Sequence, residues 1–451
     1  MKQAFAKLSP FQVDPERVWA DYGISASDFE PATDQEKESM VEVRKSVSYW
    51  RDAARRFKRN TVSMVALVVF IIMLLFAFLG PNLIPYDYSN QYRSSQKLGP
   101  NEFSDQEALV KSIEDEADCM FATALQPGSM TALDPGEYYF KFKGTTYCFT
   151  LEEKLADSII ILKDGALSIV RESNIKDGQI KESAPLEFTG EPGEKAKELE
   201  VQKRVFPHMV GTDSQGRDIL ARTMYGARVS IVIGIVAALI VLVIGSIYGA
   251  ISGLCGGVVD FVMMRIVELI YSIPEVLIVL LLQVVLKDPL QTWFDQSDSW
   301  IANALSTLGA GIVSIFITFA VLYWVTMSRI VRGQVLMLKK QEYVTAATAL
   351  GASNGRIIRR HLLPNCVGQL VITTCLQIPS AIFLESFLSF LGLGVSAPMA
   401  SLGSLCSDAL GTLTIYPYRL LFPGIILTII VLSLNLVGDG LRDALDPRLK
   451  K

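Results

Sequence analysis

The sequence predicts an all-α polytopic membrane protein with six transmembrane helices and an inserted β-rich extracytoplasmic domain. Three observations carry that expectation. Half of the 451 residues are hydrophobic, 20% are charged and the mean hydropathy is +0.35, more apolar side chains than a soluble fold of this size can hide from water. Six runs approach the roughly 20 apolar residues of helix needed to cross a bilayer core of ~30 Å. They are Thr61–Gly80, Val229–Ile251, Ile266–Leu286, Ala304–Met327, Val367–Leu391 and Tyr418–Gly438. Between the first two lies a segment of different composition, residues 87–205, patterned as strands.

Composition also excludes several functions. A net charge of −4 argues against a nucleic-acid binder, whose footprint is basic. The only two histidines, His208 and His361, rule out a multi-histidine metal site, and six cysteines with no CxxC pair make neither a zinc site nor a disulfide scaffold. No GxxxxGK[ST] loop, HExxH or GxSxG elbow occurs, so no nucleotide pocket or familiar nucleophile is written into this chain.

Residues 1–37 are polar and irregular and form an N-terminal tail. Over residues 38–59, Met40, Val43, Val47, Trp50, Ala54 and Phe57 recur at steps of three and four, one face of a helix whose other faces carry Arg44, Lys45, Arg51, Arg55 and Arg56. A basic amphipathic helix with an interfacial Trp suits the inner membrane surface, with a short coiled coil as the bland alternative. The basic run Arg55–Arg59 before the first span (60–80) places the N-terminus inside, where nothing resembles a cleavable signal peptide. Alternation then puts the basic segment 328–366 and the tail 444–451 inside as well, around a core of five further spans over 206–443.

The segment 87–205 holds 22 acidic and 14 basic residues, a local net charge of −8. Tyr138–Lys143 and Thr146–Leu151 flank Gly144-Thr145, and Ser158–Leu162 and Ala166–Val170 flank Lys163-Asp164-Gly165. Such spacing predicts two hairpins, with a helix over Ser104–Met120. Its acidic surface reads either as solvated or as a docking face. Cys119 and Cys148 both fall here, on the oxidising side, and a disulfide between them is left open.

Ionisable residues inside spans are functional by default. Glu268, Glu275 and Glu385 qualify as pathway or structural carboxylates: Glu268 follows Arg265 by three positions, where an ion pair would suffice, and Glu275 follows a kinking Pro274.

The most informative stretch runs from Glu342 to Asn365. Tyr343–Leu350 reads as a short helix with small Ala346, Ala347 and Ala349, stopped by Gly351 in a left-handed turn. Ser353 or Asn354 caps a second helix, which Pro364 ends before the fifth span. A re-entry turn without a partner is the plain alternative. This segment resembles the EAA loop of ABC importer permeases, in the form typical of oligopeptide/dipeptide permease C subunits. Thr345-Ala346-Ala347, Gly351, His361 and Leu363-Pro364 occupy the motif positions, with Thr345 and His361 departing from the general pattern. The Arg360–Asn365 run is the oligopeptide-type variant, so His361 is not a metal ligand. Further blocks in the same order are similar to the family. They include Ser48–Ala53, Gly211–Asp218 after His208, Gly256–Asp260, Ser389–Gly394 and Gly438–Pro447, whereas 87–205 departs from its compact form.

The resemblance implies a type I ABC importer permease fold and a subunit of a bacterial ABC importer for oligopeptides or dipeptides. Glu342, Thr345, Ala346, Ala347, Gly351, His361, Leu363 and Pro364 would form the ATPase-coupling loop. The implied partners are a homologous permease, two cytoplasmic ATPases that bind ATP and Mg, an extracytoplasmic substrate-binding protein, peptide and the lipid bilayer. No cofactor, metal or catalytic residue is expected in this non-enzymatic, multi-pass chain of the bacterial plasma membrane, with both termini cytoplasmic. Other solutes, such as nickel chelates or glutathione, and a membrane-anchored sensor are the alternatives.

Overall fold

A computed structural model turns the apolar runs into helices and describes residues 49–445 apart from 85, 90, 92–94, 105–106, 109–110, 112–119, 124–131, 143, 157, 164, 177–178, 189, 191, 194, 200–205, 298 and 396–398. The tail 1–37, the first half of the amphipathic stretch (38–48), Cys119, most of Ser104–Met120 and residues 446–451 lie outside the described residues. The amphipathic stretch is helical over its described part, α1 (Tyr49–Arg59), with Arg56, Lys58 and Arg59 in its last turn.

Among the described residues six helices are long and apolar enough to cross a membrane. The first is α2 (Thr61–Phe78), whose N-cap Asn60 accepts the Ser63 backbone N–H at 3.2 Å. Next comes α3 (Ile219–Cys255), whose 37 residues rise about 55 Å, well beyond a bilayer core. The run expected at Ile266–Leu286 is not one helix. Pro274 disfavours the helical conformation of the residue before it, so the chain turns extended at Ile273 (φ −89°, ψ 137°). A surface helix α4 (Gly257–Ser272) therefore ends there, and the spanning helix is α5 (Glu275–Gln296).

The fourth span also shifts. A short helix α6 (Trp300–Ser306) ends at Thr307, Gly309 (φ +81°) is the N-cap of the next helix, and the span is α7 (Ala310–Leu338), interrupted by a π-helical turn at Phe319–Tyr323. After α8 (Glu342–Ala349) comes α9 (Asn354–Phe390). Pro364 does not end the second loop helix as the sequence suggested. It lacks an N–H for the Arg360 carbonyl, and a π-helical turn over Ile358–Leu362 absorbs the defect so that the helix runs on. A reciprocally capped α10 (Leu402–Ala409) and the last span α11 (Tyr418–Leu445) complete the bundle.

Lipid tails are as apolar as leucine, so spans associate through close packing of small residues. The tightest seam joins α3 to α7. Gly245, Gly249 and Gly253 recur every four residues along one face of α3. A Cβ added at Gly245 would sit 2.6 Å from Met327 Cβ, one at Gly249 2.9 Å from Val331 Cβ, and one at Gly253 2.9 Å from Val335 Cβ. Around this seam Ile233, Ala237, Val241, Ile315, Phe319, Met327 and Leu388 form the main buried core. Elsewhere the bundle turns apolar side chains outward: Val258, Leu269, Leu277 and Leu281 are all exposed, as suits a surface covered by lipid or protein.

The segment between α2 and α3 is β-rich. Its strands are β1 (Met120–Thr123), β2 (Ala132–Leu133), β3 (Gly136–Phe142), β4 (Thr145–Leu151), β5 (Leu155–Ala156), β6 (Ser158–Lys163), β7 (Ala166–Arg171), β8 (Ile175–Lys176), β9 (Gln179–Ile180), β10 (Ala184–Leu186) and β11 (Lys197–Glu198). Two tight hairpins organise it. β3 pairs antiparallel with β4, closing at Phe142↔Thr145 with Gly144 at φ +84°. β6 pairs with β7, closing at Lys163↔Ala166 with Gly165 at φ +77°, as an Asp-Gly turn requires. Sheets of order β1-β6-β7-β10 and β11-β3-β4 enclose their own core, with Phe140, Phe149 and Ile160 almost fully buried.

Packing at the α3–α7 seam predicts the effect of two substitutions. Gly249→Leu should lower the melting temperature of the purified protein in detergent, because overpacking costs roughly 1–3 kcal/mol. Gly424→Ala, with no atom within 4 Å of its added Cβ, should leave the melt unchanged or raise it.

Candidate functional site

The expected loop residues gather at one end of the bundle. α8 begins after an extended Gln341, with Glu342 in its first turn, where a carboxylate complements the helix dipole. It ends in a Schellman cap: the Ala352 N–H bonds the Ala347 carbonyl at 3.1 Å, the Gly351 N–H bonds Thr348 at 3.0 Å, and Gly351 takes φ +80°. Val344 is the buried anchor of α8, joined in the core by Ile357, Leu362 and Cys366 from the turn that follows. Tyr343, Thr345, Ala346, Thr348 and Leu350 point away from the bundle, Leu350 with 88% of its surface exposed, while Ala347 is half-buried. His361 lies in the π-helical turn, its ring 6.3 Å from that of Tyr343, and the Asn365 amide donates to its carbonyl at 2.6 Å. Leu363 and Pro364 are the next two residues of α9.

A polar latch, unforeseen in the sequence, closes the adjoining end of the α3–α7 seam. Arg332 Nε and Nη2 donate to the two oxygens of Asp260, each at 2.5 Å, in a fork-to-fork pair. Ser252 also donates to Asp260, and Lys339 Nζ donates to the Gly253 carbonyl at 2.8 Å. The latch thus joins α3, α4 and α7 a few residues before α8. Asp260 and Arg332 are 72 positions apart, so only the fold reveals the pair.

The three carboxylates expected inside spans do not come together; Glu268 falls on the surface helix α4 and not in a span, and among the described residues no hydrogen bond links the three. Glu268 pairs with Arg265 at 2.5 Å on an exposed surface. Glu275 opens α5 beside the Tyr323 hydroxyl. Glu385 is fully buried and accepts from the hydroxyls of Ser230 (2.8 Å), Ser389 (2.7 Å) and Ser386 (3.3 Å). Ser230 and Ser389 in turn accept from the Leu402 and Val395 backbone N–H groups, so Glu385 ties α3, α9 and the start of α10 together. Among the described residues no group of three or more His, Cys, Asp or Glu could hold a metal ion. The Cys119–Cys148 pairing lies outside the described residues because Cys119 does.

A second polar centre sits at the opposite end, where the β-rich segment leaves and rejoins the bundle. His208 is fully buried, with Nδ1 2.7 Å from Asp218 and Nε2 3.1 Å from Glu107. The Tyr86 ring stacks on it at 4.3 Å. Asp218 uses its other oxygen as the N-cap of α3, accepting the Ala221 N–H at 2.7 Å, and Ser104 and Glu107 cap each other reciprocally. Burial alone would depress the imidazolium, but the two carboxylates outweigh it and raise the His208 pKa to about 9. Glu107 shows the converse: burial opposes its charge, yet His208 and Ser104 hold its pKa below the ordinary value.

A histidine raised from 6.5 to about 9 stabilises the fold fully below pH 6.5 and loses that contribution as pH rises through 9. Glu107 contributes above its ordinary value of 4.5 and is lost as pH falls. Thermal melts in detergent should therefore fall between pH 7 and 10, and His208→Gln should start lower and flatten that slope. An unchanged slope would remove the charged pair from the stability of this end.

Comparison with known proteins agrees with this architecture. Residues 245–451 match the family described as binding-protein-dependent transport system inner membrane component, and residues 48–100 match the N-terminal TM domain of oligopeptide transport permease C. The chain is 45% identical over 244 residues to the oligopeptide transport system permease protein OppC of Bacillus subtilis (strain 168), covering 54% of this chain and 73% of that protein. It is 44% identical over 241 residues to the OppC of Escherichia coli (strain K12), covering 53% and 72%. With the dipeptide transport system permease protein DppC of Lactococcus lactis subsp. cremoris (strain MG1363) it shares 31% identity over 403 residues, 89% of this chain and 92% of that one. That last alignment is longer than the chain without residues 87–205, so it runs into the β-rich segment. A six-span helical bundle, the family matches and identities that cover more than two thirds of each relative lead to one conclusion: this chain is a multi-pass membrane protein that belongs to the binding-protein-dependent ABC transport permeases of the oligopeptide/dipeptide type.

Proposed function

We propose that the chain carries peptides across the plasma membrane as one permease of an ABC importer, with both termini and α8 in the cytoplasm and the β-rich segment outside. A homologous permease completes the path, two cytoplasmic ATPases hydrolyse ATP with Mg, and an extracytoplasmic binding protein delivers peptide. One observation carries the coupling role: α8 is fixed to the core by Val344 yet presents Tyr343, Thr345, Ala346 and Leu350 on its exposed face. Small residues on that face let a partner's surface approach the helix backbone closely. Movement of α8 is then transmitted to the spans through Ile357 and Leu362 and through the neighbouring Asp260–Arg332 latch. Such coupling needs a rigid element with two arrangements, and the Schellman cap and the anchored π-helical turn supply the rigidity.

Peptide as cargo is supported by the relatives, whose names state oligopeptide and dipeptide transport. An orientation with α8 inside is supported by basic residues around it, including Arg356, Arg359 and Arg360. No observation favours nickel chelates, glutathione or a sensor over this reading.

Two experiments test it. Ala346 is exposed, so Ala346→Glu should insert and fold normally, yet the transporter reconstituted in vesicles should lose peptide uptake at least about fivefold, the scale of 1 kcal/mol of lost docking. Normal uptake would remove α8 from the coupling pathway. In intact cells an impermeant thiol reagent should label Thr146→Cys in the β3–β4 hairpin but not Ser353→Cys, both exposed positions, in an otherwise cysteine-free background. The reverse pattern would invert the proposed orientation.

A further inference from the structure

At the end of the bundle that carries the β-rich segment, the starts of α3 and α11 and the end of α10 surround an open cavity of about 170 Å³. Its walls hold three arginines, Arg217, Arg222 and Arg419, and two carboxylates, Asp213 and Asp408. Asp213 is saturated: it accepts from Arg217 Nε at 2.7 Å, from Arg222 Nη1 at 2.8 Å and from the backbone N–H groups of Gln215 and Arg217. Asp408 is held loosely, 3.3 Å from Arg222 Nη2 and 3.9 Å from Arg217 Nη2, with its side chain 55% exposed. The cluster is left with one positive charge in excess.

That excess sits on groups withdrawn from water. Arg222 and Arg419 are each only 5% exposed. Among the described residues, every buried side-chain nitrogen or oxygen without a hydrogen-bond partner belongs to these two: Arg222 Nε, Arg419 Nε and Arg419 Nη2. Nε and Nη2 form one edge of a guanidinium, the fork that fits the two oxygens of a carboxylate. The Tyr416 ring covers the face of Arg419 with its centroid 4.2 Å away and fixes the plane of that fork. Leaving such donors unmet costs more than an ordinary hydrogen bond gains, so the cluster is poised for an anion.

We propose that this cavity is a carboxylate-binding site, and that its ligand is the α-carboxylate of a peptide entering the permease. This inference rests on peptide being the cargo. A recessed site reaches only a carboxylate at the end of a slender chain, and every linear peptide has one whatever its sequence. One fork therefore serves peptides of varied composition. Asp408 occupies the mouth as an exchangeable stand-in, to be released when the ligand enters.

The test uses the full chain in lipid nanodiscs and ligand-observed NMR with tetra-alanine as free acid and as C-terminal amide. The free acid should bind saturably and the amide at least about tenfold more weakly, the scale of one hydrogen bond to a charged group. Arg419→Gln should weaken the free acid to the level of the amide. Asp408→Asn, which removes the competing charge, should tighten it by a few-fold, a gain that a merely structural role would not produce. Equal binding of acid and amide, no binding by the wild type, or weaker binding by Asp408→Asn would each overturn the proposal. Uptake by the assembled transporter separates the two levels. Peptide uptake with equal binding of acid and amide removes this site alone, and no uptake of any peptide removes the reading beneath it.

Discussion

The fold depends above all on how closely α3 and α7 approach. Without a hydrophobic drive between spans, the bundle gains its order from surfaces that fit, and three glycines at intervals of four leave no room between the two backbones along about two turns. Everything with a candidate role is referred to that seam. The Asp260–Arg332 latch closes one end of it, α8 follows directly from α7, and the Glu385 knot binds α9 and α10 to α3. A helix of about 55 Å then carries a polar centre near each end, and its stiffness makes the two ends one mechanical body.

Buried charge is used sparingly and always with a purpose visible in the geometry. His208 sits between two carboxylates, Asp260 receives a forked guanidinium, and Glu385 is surrounded by serine hydroxyls that are themselves polarised by backbone N–H groups. Breaking such a network by removing one partner leaves the other uncompensated. The arginines lining the cavity are the exception, because two of them keep donors unused. An exception of that kind is expected where a site awaits a ligand rather than where a fold is being held together.

Much of this was legible in the sequence, for reasons of period and punctuation. Apolar runs near 20 residues gave six spans, Asp164-Gly165 and Gly144 marked the hairpin turns, and Gly351 marked the end of α8. Errors came where a local rule met a tertiary one. Pro274 breaks the helix and does not merely kink it, because its predecessor turns extended; Pro364 does not stop its helix, because a π-helical turn accommodates it. The glycine seam acquires meaning only when α7 lies against it and the three positions meet Met327, Val331 and Val335. The latch, the histidine centre and the arginine cavity join positions up to about two hundred residues apart, and no periodicity encodes such pairs.

The histidine centre has one more consequence. Glu107 and His208 are bonded to each other, and Glu102 pairs with His208 in an isolated β-bridge, although the whole β-rich segment is strung between them. Its departure and return are therefore fastened at a single point on the rim of the bundle. The cost of closing a loop grows only slowly with its length, and insertions are tolerated where their ends meet at a surface. The rim acts as a socket, indifferent to the size of what it holds. A compact permease and one bearing an additional domain can share the same bundle, so the domain is free to diversify without disturbing the helices beneath.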